Sequence, residues 1–183
     1  MKVMALDLFQ LIHLKHYDMN SFDYSKYLET GKEVEAIFIR SFAAHFGVPI
    51  NAIVAATIKE DINRHFDLSY AGMKIDVKGL KKIYRQEPVT NQEFHWIEFK
   101  NVAGNKGWLY GDADIFAFEL NISFLCVRKE KLQELIHNYC AAKYLMVNRE
   151  PYRLYRRPGR NDILTIAKSL DLAQISDFII KKI

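Results

Sequence analysis

A chain of 183 residues with 50% hydrophobic and 26% charged residues has an ordinary globular composition, which excludes disordered and fibrous classes. It is long enough for one domain with a substantial core, and no apolar run reaches the length that crosses a bilayer. The net charge of +4 admits a polyanionic partner without requiring one.

Residues 1–28 read as an N-terminal extension of short apolar clusters, with Leu6, Phe9, Leu11 and Leu14 lining a short helix. Asp7 interrupts the first of these and no small-residue cleavage site follows, so a signal peptide is not expected and a cytoplasmic location is. The His13-x-x-His16 pair reads as incidental. The core, 30–145, opens with a helix at Thr30, where Thr30-Gly31-Lys32-Glu33 fits a capping box. Val34, Ile37, Phe38 and Phe42 recur at helical spacing until Gly47 and Pro49 stop them, and 50–64 reads as a second helical stretch.

His65 to Gly79 reads as two short strands around a turn at Ala71-Gly72, with Asp67 near the end of the first. Alternation puts Lys74, Asp76 and Lys78 on one face of the second strand and Met73, Ile75 and Val77 on the other. The apolar face anchors the strand, and a carboxylate beside an ammonium is held out on the opposite side. Metal-assisted phosphodiester hydrolysis uses such a pair: hard oxygens hold Mg²⁺, and a cation positions water and offsets charge on the phosphate.

Leu80 to Arg85 continue that strand or its turn, and His95 to Lys100 forms another alternating strand. There Ile97 and Phe99 face one way, while Trp96, Glu98 and Lys100 face the other. Laid beside the preceding strand, Glu98 becomes a further metal ligand or orients the water. Glu98-Phe99-Lys100 is itself an acid-x-lysine triplet, so a scheme with Asp76 as first acid and Glu98 and Lys100 as the triplet stays open.

Asn101 to Gly111 is glycine-rich without phosphate-loop spacing. Its Trp108 and Tyr110 can stack on a base or sugar, with core anchoring the stronger expectation for Trp108. Ala113 to Leu120 suits a sheet interior, with Asp114 holding a turn or a backbone amide. A strand at Ile122–Val127 and a helix at Arg128–Leu145 follow; they carry Cys126 and Cys140, which read as small buried residues rather than a disulfide or zinc ligands. The remainder, 146–183, starts with the most basic stretch, in which Arg149, Arg153, Arg156, Arg157 and Arg160 interleave with Tyr152 and Tyr155. Arginine with tyrosine suits a phosphate backbone. Asp162 to Ile180 reads as a closing helix.

Asp67, a gap of eight residues and then Asp76-Val77-Lys78 resemble the PD-(D/E)xK nuclease signature, with Phe66 where that signature has proline. The resemblance spans Thr30 to Val127, and Gly-Lys-Glu-Val-Glu-Ala-Ile resembles the glutamate-bearing helix of the family, with Glu35 at the matching place. It implies a single nuclease-like domain over 1–183 of α/β class. Its restriction-endonuclease-like core would be an α-β-β-β-α-β mixed sheet flanked by helices, with helical extensions at both ends. It further implies a divalent-metal-dependent nuclease, with DNA favoured over RNA as the substrate. Asp67, Asp76, Glu98 and Glu35 would then hold Mg²⁺ or Mn²⁺, with Lys78 joining Asp67, Asp76 and Glu98 in catalysis. The alternative is a catalytically inactive nucleic-acid-binding or inhibitory protein on the same fold. No membrane partner is expected, and oligomeric state, a homodimer included, stays open.

Overall fold

The computed structural model describes residues 24–140 and 149–183, and the chain divides into two compact units, 1–32 and 33–183. The clusters of the N-terminal extension, His13 and His16 among them, lie outside the described residues, as does the end of the helix expected over Arg128–Leu145.

Helix α1 runs Tyr24–Phe46, so it begins ahead of Thr30, and the capping box expected at Thr30–Glu33 falls inside a continuing helix. The stretch 50–64 is also not one helix. A 3-10 turn at Ile50–Ala52 leads into a short strand, β1 (Ile53–Ala55), and only then into α2 (Ile58–Arg64). The capping box sits here instead: Glu60 N donates to Thr57 Oγ1 at 3.3 Å and Thr57 N donates to Glu60 Oε2 at 3.0 Å.

Strands β2 (Leu68–Tyr70) and β3 (Met73–Lys78) form the expected antiparallel hairpin. Ala71 and Gly72 take φ of 49° and 84°, the doubly left-handed turn whose twist matches that of paired strands. Asp67 lies just before β2 rather than near its end. The chain continues through β4 (Phe94–Lys100), a 3-10 turn (Trp108–Tyr110), β5 (Ile115–Glu119), β6 (Ser123–Arg128) and α3 (Lys129–Tyr139). It closes with β7 (Ile163–Lys168), α4 (Ser169–Ile175) and β8 (Phe178–Lys181), where the sequence reading expects one helix. The run from Leu164 to Ala167 is buried without a break, as in a strand covered on both faces.

The architecture is α/β, with a mixed six-stranded sheet in the order β1-β2-β3-β5-β6-β8. Only the β3–β5 pairing is parallel; it sets Asp76 opposite Phe116 and Lys78 opposite Phe118. Strand β4 does not lie beside β3, the arrangement under which Glu98 would have been an adjoining ligand. It pairs with β7 in a separate two-stranded sheet. One face of the large sheet, with Ile75, Val77 and Phe124, is covered by Phe38 and Phe42 of α1. Phe116 and Phe118 on the other face pack with Ile97 of β4 and with Leu132 and Ile136 of α3. Because β3 alternates, Asp76 and Lys78 point towards this second layer. Both cysteines are free, and no helix among the described residues is long and apolar enough to cross a membrane.

Candidate active site

Where β2 ends its pairing with β3, the Asp67 side chain takes over. Val77 N donates to Asp67 Oδ2 at 2.6 Å, which fixes this carboxylate at the neck of the hairpin. Asp76, one residue before Val77, is 2% exposed and close enough to feel the charge of Asp67. Lys78 Nζ lies 2.5 Å from Asp76 Oδ1 and 4.6 Å from the centre of the Trp108 ring. The other oxygen, Asp76 Oδ2, is buried and finds no hydrogen-bond partner among the described residues. An ion pair accounts for half of this carboxylate and leaves the rest electrostatically unmet.

Titration follows from these contacts. Burial pushes the Asp76 carboxyl well above its ordinary range against the pull of the Lys78 ammonium, and the Asp67 charge adds to the rise. For Lys78 burial acts downward, but the charges of Asp76, Asp67 and Glu98 outweigh it and hold the ammonium above its usual value. Glu98, from β4, is raised by desolvation against Lys78 and a hydrogen bond from the Trp108 backbone. Gly107 allows that contact. Its Cα comes so close to β4 that a Cβ there would stand 2.4 Å from the Glu98 carbonyl oxygen.

Thus Asp67, Asp76 and Lys78 are brought together on one hairpin, and Glu98, from the facing two-stranded sheet and not from an adjoining strand, is near enough for its charge to act on Lys78. The three acids do not close on one point: among the described residues no three carboxylate, imidazole or thiol groups are placed to hold an ion. Lys100 is exposed, and its backbone pairs with Lys106 and Ile163, which leaves Lys78 as the ammonium at the acids. Glu35 lies on α1, across the sheet from Asp76 and Lys78. Asp114 accepts from Lys74 N at 2.8 Å, the backbone role expected of it.

The residues expected to meet nucleic acid divide. The Arg149 guanidinium donates to the Ile83 carbonyl and stacks within 5.2 Å of Tyr84, 5.6 Å of Trp96 and 5.2 Å of Tyr155. Arg157 is paired with the fully buried Asp162. Both hold the fold together and are not free phosphate ligands. Arg153 and Arg156 are exposed, and Arg160 is half-buried. Trp108 anchors the core against Phe116 at 4.9 Å while its ring meets Lys78, and the exposed Tyr110 hydrogen-bonds His137 at 3.1 Å.

Two neighbours of this cluster escape the sequence reading, His95 and Lys81. His95 is two residues before Ile97, so strand alternation alone places it on the buried face. It is 4% exposed, packs against Phe118 at 5.1 Å, and has its pKa drawn down to about 4 by burial. Because the folded pKa is below the unfolded one, stability is complete above about pH 6.5 and falls as pH drops towards 4, by roughly 3 kcal/mol in all. Urea titrations at pH 7.5 and 5.0 should show most of that loss in the wild type and a smaller one in His95→Leu.

No protein-family model, no curated protein and no solved structure matches this chain.

Proposed function

We propose that this protein is a divalent-metal-dependent nuclease on a restriction-endonuclease-like core. The observation that carries the reading is the buried Asp76. Its Oδ1 meets the Lys78 ammonium at 2.5 Å, its Oδ2 has no partner among the described residues, and Asp67 stands beside it. A carboxylate in that state favours a second cation, and two hard carboxylates fit Mg²⁺ or Mn²⁺. Asp67 and Asp76 would hold the ion, with Glu98 as a further candidate ligand. When bound, such an ion supplies Lewis acidity to a phosphoryl oxygen and makes water a better nucleophile.

The chain's own groups do the rest. Lys78, held by Asp76 and backed by the Trp108 ring, places a positive charge where the five-coordinate phosphate gathers negative charge. Glu98, its carboxyl pKa raised by desolvation, would accept or return a proton at the attacking water. The exposed Arg153 and Arg156 are candidates for the polynucleotide backbone beyond the site, with DNA favoured over RNA.

The alternative, a nucleic-acid binder without catalysis, draws support from the failure of the three acids to close on one point. Incubating a plasmid, an RNA and single-stranded DNA with the protein, with and without Mg²⁺ or Mn²⁺, separates the two. Metal-dependent strand breaks are the expected result. Salt-sensitive binding that is indifferent to metal and leaves every substrate intact contradicts it.

A further inference from the structure

Next to the acid cluster is a small hollow of about 30 Å³, lined by Lys78, Gly79, Lys81, Phe94, His95, Trp96 and Trp108. Its titratable side chains are two ammonium groups and an imidazole. His95 is more than nine-tenths buried, and its Nε2 is without a hydrogen-bond partner among the described residues. A buried nitrogen left unpaired costs on the order of 1–3 kcal/mol, so a ligand that satisfies it is favoured. The volume admits one or two water-sized groups and is too small for a nucleobase.

The donors select the charge of the guest. Lys78 is already matched by Asp76, whereas Lys81 has no salt-bridge partner among the described residues and stands at the exposed mouth. Desolvation and the charge of Lys78 draw the Lys81 pKa below its ordinary value, against the pull of Glu98 and Asp76. Two ammonium groups share one pocket, and an anion between them relieves their repulsion. A neutral imidazole can present its Nε2 as N–H, which adds a third donor.

We infer that this hollow is a phosphoryl subsite, in which oxygens of the phosphate group next to the one cleaved are held by Lys81, Lys78 and His95 Nε2–H. That identity of the ligand rests on the nuclease reading; the affinity for a phosphate anion does not. The subsite makes the preferred substrate a chain with consecutive phosphates rather than an isolated diester. It also assigns Lys81 and His95 to binding rather than to the chemical step.

The test is an imidazole ¹⁵N titration of the full chain without metal at pH 7.5, adding inorganic phosphate at constant ionic strength. The His95 resonance, identified by its loss in His95→Leu, should move saturably on to the Nε2–H tautomer. Lys81→Ala, a change at an exposed residue, should weaken phosphate about ten-fold. Asp76→Asn should leave phosphate binding in place even where cleavage is gone, so a failed nuclease assay and a failed subsite give different results. A His95 resonance unmoved by phosphate, moved equally by chloride, or moved with the same midpoint in Lys81→Ala overturns the assignment and leaves ordered water as the occupant.

Discussion

Asp76→Asn should lower metal-dependent cleavage by at least about 10³-fold, on the order of 4 kcal/mol of barrier, while the metal-free protein stays folded. The substitution keeps the shape of the side chain and removes the charge for which a cation would come. In the metal-free state the loss is tolerable, because burial already works against the ionised form of Asp76. Lys78 is left with Asp67 and Glu98 acting on it. Thermal melting with and without Mn²⁺ checks both halves. The wild type should gain stability with metal, as any ligand of the native state confers, and Asp76→Asn should gain almost none. An Asp76→Asn protein that cuts at the wild-type rate removes the proposed mechanism.

Lys78→Ala should cost about 10²- to 10³-fold in cleavage and should also shift the pH at which the residual activity appears. The ammonium opposes the burial-driven rise of the Asp76 pKa. Without it that pKa climbs further, and a metal must compete with a proton at the same carboxylate over a wider range. The sign is therefore fixed: the acid limb of the pH–rate profile moves to higher pH in Lys78→Ala. A profile that keeps its acid limb while the rate falls would confine Lys78 to transition-state contact. An unchanged rate would show that its pairing with Asp76 is structural only.

The hairpin was legible in the sequence because its signals are local. Ala71-Gly72 supplies the left-handed turn, and alternation from Met73 to Lys78 separates an apolar from a charged face. β5 was legible for the same reason, as an apolar run buried along its whole length. Failures came where a long-range partner decides. Ile53–Ala55 is a strand because it adds to β2, and nothing in three residues announces that. Ile163–Lys168 is a strand because β4 pairs with it, which also draws β4 away from β3.

At the site, sequence spacing brought Asp67, Asp76 and Lys78 together correctly, since they share one hairpin and its neck. Glu98 is brought near Lys78 by layer packing rather than strand pairing, a placement no periodicity predicts. The arginine run was misleading in part because charge in a sequence does not reveal direction. Arg149 turns inward to three aromatic rings, and Arg157 turns to Asp162, which is fully buried. His95 shows the converse, a polar residue made conspicuous only by what surrounds it.

The nuclease reading depends on whether a divalent ion sits on the unpaired oxygen of the hairpin carboxylate. A crystal grown with Mn²⁺ and examined at the manganese absorption edge decides it. The account predicts an anomalous peak about 2.0–2.3 Å from Asp76 Oδ2, shared with an Asp67 oxygen and absent in Asp76→Asn. Manganese bound elsewhere, or nowhere on the protein at millimolar concentration, would contradict it.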